Sequence, residues 1–190
     1  MSTSTILRET HYQKHKFAES QPFQVALAKG HVTTAAYAAF LKQMLHVHEA
    51  VETPLRAALA DRPAWGPMFT RNRWRVERIN GDLACIQIAG YSDPPGPSVL
   101  KLRQRIAEVE ASPHYLLGAF YVLEGSTNGS RHIVRNLSLY IGLQADGGLG
   151  YLDPYGSEQP ESWAEFKSAV DGLELDEAQL KMLVTAAGEM

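Results

Sequence analysis

Seven histidines are spread over this chain, and four of them fall in two close pairs. His11 and His15 stand four residues apart, a spacing that puts both imidazoles on one side of a helix. His46 and His48 lie in Met44-Leu45-His46-Val47-His48-Glu49-Ala50-Val51-Glu52. An imidazole on a helix that lies over a cavity can serve as the axial ligand of a haem iron. The second pair, with Glu49, Glu52 and Glu124, offers the residue types of a non-haem di-iron centre. Such centres are built with Glu-x-x-His spacing on facing helices, and that spacing is not intact here. For any one of these histidines the plainer role is an imidazole satisfied by a neighbour.

A second stretch equipped for chemistry is Tyr121-Val122-Leu123-Glu124-Gly125-Ser126-Thr127-Asn128-Gly129-Ser130, a Gly- and Ser-rich patch inside an otherwise apolar helical pattern. Each glycine in a helix interior costs about 1 kcal/mol relative to alanine, so Gly118, Gly125 and Gly129 require a reason. With Val122 they follow the i, i+4, i+7, i+11 rule and share one face. Either another helix packs closely on that face or a flat ligand lies against it.

The elements that must position these residues are helical. Ser4 or Thr5 caps a first helix through Leu7, His11 and His15, and Pro22 marks a break. Thr33 or Thr34 opens a long amphipathic helix in which Tyr37, Phe40, Leu41, Met44, Leu45 and His48 recur at helical spacing, with Pro54 as a break or kink. The stretch 63–67 is a connector, helical pattern resumes over 68–88, and Gly90 to Pro97 reads as a loop. Ser98 caps a helix to about Glu110. Ser112-Pro113 caps the Gly-bearing helix, which is expected to run to about Ile141. A long loop covers 144–159, and two helices close the chain. Period-2 alternation is weak throughout, so the expected fold is all-α, a single domain over residues 1–190.

Composition narrows the partners. The chain has 190 residues, 45% apolar and 21% charged, enough for one full hydrophobic core. A net charge of -3 gives no case for nucleic acid or an anionic membrane as the main partner. Cys85 is the sole cysteine, which excludes an intrachain disulfide and any multi-cysteine metal site. The first sixteen residues are polar, and no run reaches the length of a membrane span, so a cytoplasmic protein is expected.

Leu7-Arg8-Glu9 followed by His15 and Glu19, and then Gly30-His31-Val32-Thr33-Thr34-Ala35-Ala36-Tyr37-Ala38-Ala39-Phe40-Leu41, resembles the amino-terminal half of bacterial haem oxygenases. Leu117 to Thr127 is similar to the distal helix of that family. Weaker echoes are Arg78 to Leu83 and Tyr155-Gly156 followed by Trp163-Ala164-Glu165-Phe166. The resemblance spans nearly the whole chain.

It implies a multi-helical bundle with haem b, both cofactor and substrate, held between a proximal amino-terminal helix and a Gly-rich distal helix. His15 falls at the proximal iron-ligand position, with His11 one turn earlier as the fallback and Glu19 as the acceptor that orients the imidazole. Gly125, Ser126 and Gly129 fall in the distal catalytic segment: the glycines allow backbone to approach the ring, and Ser126, with Thr127 and Asn128, holds water there. Arg8, Tyr12, Tyr121, Ser130 and Lys167 are the implied haem-binding residues, Arg8 and Lys167 as cations for the propionates, with Lys14 near His15. The implied reaction opens the macrocycle to biliverdin, releasing iron and carbon monoxide, with dioxygen and an external reductase or ferredoxin as electron donor; the family tends to monomers. The chain departs from the family at Asn128 and Ser130, where many bacterial members have an apolar residue and a second glycine, and at Ser126, where animal-type members carry Asp. These departures favour a haem carrier or sensor without turnover as the alternative. The basic run Arg71, Arg73, Arg75 and Arg78 reads either as a solvent-facing side or as the docking face of the electron donor.

Overall fold

A computed structural model describes residues 1–86, 93–144 and 147–190. Among them are nine α-helices, joined by short 3-10 segments and loops. They are α1 (Thr3–Glu19), α2 (Pro22–Ala28), α3 (Thr34–Leu59), α4 (Val76–Ile86), α5 (Pro97–Glu108), α6 (Pro113–Gly125), α7 (Ser130–Ile141), α8 (Gln159–Asp171) and α9 (Glu177–Glu189). The all-α expectation holds. No helix among the described residues is long and apolar enough to cross a membrane.

Local chemistry explains several helix starts. Thr33 caps α3 by accepting the Ala36 N–H, and Asp176 with Gln179 forms a reciprocal capping box on α9. Pro54 sits inside α3 without ending it. The first helix starts earlier than the sequence suggests, with Ser2 as its cap rather than Ser4 or Thr5. Residues 63–68 and 71–73 are 3-10 turns, so the pattern expected from Met68 becomes α-helix only at Val76. Of the expected loop 90–97, residues 90–92 lie outside the described residues.

Helix α6 is the centre of the bundle. Tyr115, Leu116, Leu117, Gly118, Ala119, Phe120, Leu123 and Glu124 are all buried, and α6 packs on α9 and α3. One core joins Val51, Leu55, Phe69, Phe120, Phe166, Val170 and Leu183 around it. A second joins Leu27, Tyr37, Leu41, Ile79, Leu137 and Leu149 between α3, α4 and α7. Burying side chains of this size contributes roughly 1.5–3 kcal/mol each, and the first core, which takes in Leu7, Phe120 and Phe166, fixes where α1, α6 and α8 can stand.

The helix expected to run unbroken to Ile141 is interrupted. After Gly125 the chain tightens into a 3-10 turn, Ser126–Gly129, before α7 begins. Three successive side chains bond back to the main chain three residues earlier: Ser126 Oγ donates to Leu123 O at 2.7 Å, Thr127 Oγ1 to Glu124 O at 2.7 Å, and Asn128 Nδ2 to Gly125 O at 2.8 Å. Side chains that compete for carbonyls in this way destabilise the α pattern and bend it. The Gly-rich segment is therefore a turn between two helices.

Candidate functional site

Helix α1 is tied down along one side. Ser4 N and Oγ donate to the Asp171 carboxylate at 2.6 and 2.7 Å, His11 Nε2 donates to Val184 O at 2.9 Å, and Lys14 Nζ donates to Gly188 O at 2.7 Å. Leu7 is buried on that same side. Two expectations change here. His11, the fallback ligand, has its Nε2 spent on α9, and Lys14 is spent on the end of α9 instead of facing a propionate.

The adjacent side of α1 carries Arg8, Tyr12, His15 and Glu19 at i, i+4, i+7 and i+11, and all four are exposed. The His15 side chain is 70% exposed; its Nδ1 lies 3.7 Å from Glu19 Oε1, an ion-pair distance too long for a hydrogen bond. No described residue bonds its Nε2. Arg8 lies 3.7 Å from Glu9 and close enough to Tyr121 to act on its hydroxyl. Burial pushes the Tyr121 hydroxyl up to about 12, Asp171 adds to the rise, and Arg8 opposes it.

Along α6 and the turn, the glycines meet three different environments. A Cβ on Gly118 would lie 2.1 Å from Leu183 O, so this glycine serves the crossing of α6 with α9. A Cβ on Gly125 would lie 3.3 Å from the Trp163 ring. Around Gly129 nothing lies within 4 Å of such a Cβ. The single-face reading is corrected accordingly: one glycine packs a helix, one lies under an indole, and one opens on free space. Trp163 also stacks with Phe166 at 5.9 Å and lies 5.1 Å from Tyr121. Half-buried Lys167 holds its ammonium 5.6 Å from the Trp163 ring. Tyr121, Trp163, Lys167 and Gly125 are thereby linked through α8, while Ser126, Asn128 and Gly129 are exposed on the turn.

Ser130 does not join them. It is 4% exposed, and its hydroxyl donates to Ser126 O at 3.3 Å, so its added hydroxymethyl does not crowd the open side. Thr127 is also turned inward, accepting from Gln159 Nε2 at 2.8 Å.

Behind the turn stands a buried ionic frame. Arg73 and Arg75 are only 3% and 2% exposed, which removes these two from any solvent-facing or docking side, while Arg71 of the same run is exposed and Arg78 half-buried. Arg73 Nη1 donates to Glu124 Oε1 at 2.6 Å, Arg75 Nη2 to Glu124 Oε2 at 3.0 Å, and the Tyr155 hydroxyl to Glu124 Oε1 at 2.5 Å. Arg75 also donates to Asn72 O. Glu52 Oε1 accepts from Arg75 N and His48 Nδ1, both at 2.8 Å. The oxygens of Glu124 are spent on guanidinium groups and a phenol. Among the described residues no three His, Cys, Asp or Glu side chains gather to hold a metal ion, so the geometry gives the di-iron reading no centre. The one signal for this frame is Glu124 itself, a carboxylate inside an apolar run.

Desolvation holds His48 below its ordinary value of 6.5, against the opposing pull of Glu52. The imidazole is neutral, donating from Nδ1 to Glu52 and accepting at Nε2 from Tyr151 at 3.3 Å. An imidazole that resists protonation when folded binds fewer protons than in the unfolded chain. Its contribution is complete above pH 6.5 and is lost as pH falls toward the depressed folded value. The thermal midpoint is expected to drop more between pH 7 and 5 in the native chain than in His48→Gln, measured by calorimetry at both pH values.

Comparison with known proteins places this architecture. The family model described as Heme oxygenase matches residues 1–190. Among solved structures, heme oxygenase from Leptospira interrogans superposes with a TM-score of 0.84 at 22% identity, covering 99% of this chain and 94% of that one. Heme oxygenase-1 from the cyanobacterium Synechocystis sp. PCC 6803, solved in complex with heme, gives 0.83 at 19% identity, covering 99% and 86%. Heme oxygenase-2 from the same organism, in complex with heme and NO, gives 0.85 at 19% identity, covering 99% and 80%. No curated protein matches the chain in sequence.

Proposed function

Because this chain belongs to the haem oxygenase family, we propose that it binds haem b between the Arg8–Tyr12–His15 side of α1 and the Ser126–Gly129 turn, and degrades it. Given dioxygen and electrons from an external reductase or ferredoxin, the products are biliverdin, iron and carbon monoxide. The haem supplies the redox chemistry, being both the oxygen-activating group and the substrate. We further propose that the protein works as a monomer in the cytoplasm.

The residues fit the group. His15 presents an unbonded Nε2 on an uncovered helix face, with Glu19 near enough to take up the Nδ1 proton's hydrogen bond after a small rotation. Gly129 presents bare main chain with nothing within 4 Å of a would-be Cβ, and this is the observation that carries the proposal. Arg8 and Lys167 are the cations for the propionates, and Trp163 and Tyr121 form an aromatic wall. Ser126 spends its proton on Leu123 O, so toward the site it acts as an acceptor that orients water. Proton delivery then falls to that water.

The carrier or sensor alternative rests on Asn128 and Ser130. Ser130 points inward, and the Asn128 amide is bonded to Gly125 O, which leaves this alternative without a structural argument. Adding one equivalent of haem and then ascorbate under air tests the two: the Soret band is expected to decay into a biliverdin spectrum, whereas a stable Soret band over the same period overturns the enzymatic reading.

Gly129→Ala follows directly. Open space around the position leaves the stability of the haem-free protein within about 0.5 kcal/mol of the native value. The new methyl stands where the ring must lie, and haem affinity is expected to fall about tenfold, checked by haem titration beside a urea melt.

A further inference from the structure

We infer that Glu124, clamped between Arg73 and Arg75, is a positioning residue that sets the height of the Ser126–Gly129 turn over the proposed haem site. The inference rests on that proposed site for its meaning, although its main test does not use haem.

Among the described residues, none packs on the outer side of the turn. Ser126, Asn128 and Gly129 are exposed, and no described residue from elsewhere in the fold lies within 4 Å of a would-be Cβ on Gly129. Its position is therefore determined from within. There the Thr127 hydroxyl donates to Glu124 O and accepts from Gln159 Nε2, so the turn hangs on the main chain of Glu124. The side chain of that residue takes three donors, from Arg73, Arg75 and Tyr155. The same Arg73 guanidinium donates through Nη2 to Ser162 O at 3.0 Å, the residue before the indole that covers Gly125. The main-chain N–H of Arg75 is anchored to Glu52 of α3. One connected set of charged groups thus joins α3, residues 72–75, α6 and α8, and it ends at the residue preceding Gly125.

Stability alone does not account for such a frame, because well-packed apolar residues of the same volume commonly serve as well or better than buried ion pairs. What paired charges add is direction: each bidentate or charge-assisted bond has a narrow geometry. A turn that must stand close to a flat ligand without touching anything else on that side requires that fixity.

The test is amide hydrogen exchange in the haem-free protein, comparing the native chain with Glu124→Gln and with Thr127→Val, which keeps the shape of the side chain and removes both of its bonds. Exchange at 126–130 is expected to accelerate at least about tenfold in each variant while α9 exchanges at its native rate. Unchanged exchange at 126–130 overturns the inference, and so does acceleration spread evenly over all helices, which would mark a merely structural role. Should Glu124→Gln not fold, Tyr155→Phe, which removes one donor to the same carboxylate, takes its place and decides between these outcomes. In the haem-loaded variants, affinity is expected to stay within about threefold of native while turnover falls about tenfold; native turnover per bound haem in a variant with a loosened turn also overturns the inference. If the native chain binds no haem, the proposed function fails, and the exchange result still decides whether Glu124 holds the turn.

Discussion

His15→Ala is expected to lower haem affinity about 100-fold and to abolish turnover, with no change in the fold. Removal of an orienting partner of a metal-bound imidazole typically costs 10–100-fold, and removal of the imidazole itself costs at least as much. The side chain is 70% exposed and, among the described residues, its one polar partner is Glu19, at 3.7 Å, so its loss leaves the haem-free stability within about 0.5 kcal/mol. His11 does not compensate, because its Nε2 is bonded to Val184 O and it lies on the side of α1 that faces α9. Added imidazole restores the ligated spectrum if the position is a ligand site. Native affinity and spectrum in the variant would remove His15 from the iron.

Gly118→Ala is expected to be the most destabilising single methyl in the distal region, at about 3 kcal/mol. The added Cβ would stand 2.1 Å from Leu183 O and 3.0 Å from Ala186 Cβ. The first of these is main chain and cannot rotate aside, so α6 and α9 must separate, opening the core that holds Leu117, Phe120 and Leu183. Urea denaturation measures the loss. Set beside the neutral Gly129→Ala, the result divides glycines of one sequence pattern into a packing position and an open one. Equal midpoints for the two variants would contradict that division.

How much of this is legible in the sequence depends on how local the cause is. The cap at Thr33, the capping box at Asp176 and the long amphipathic α3 follow from residues within a few positions of one another, and they are readable. The break after Gly125 is also local, but periodicity does not register it: Ser126, Thr127 and Asn128 bond back to carbonyls three residues earlier, and hydrophobic spacing is blind to that competition. The burial of Arg73 and Arg75 is not readable, because the partner that neutralises them is about fifty positions away at Glu124. An alternating run of arginines looks solvated until such a carboxylate is found. The inward turn of Ser130 has the same origin, in a bond to Ser126 O that a linear reading does not contain. As for the site, the pairing of His11 with His15 is visible, whereas the choice between them comes from family register. Their different surroundings in the bundle, one imidazole bonded to α9 and the other open, support the same choice on independent grounds.

The position of haem decides the rest. A crystal structure of the protein with one equivalent of ferric haem tests it most directly. The ring is expected on the Arg8–Tyr12–His15 side of α1, with His15 Nε2 on the iron, the main chain of Gly129 against the opposite face, and the propionates toward Arg8 and Lys167. Iron ligated by any other residue, or a ring lodged away from the Ser126–Gly129 turn, would contradict this placement.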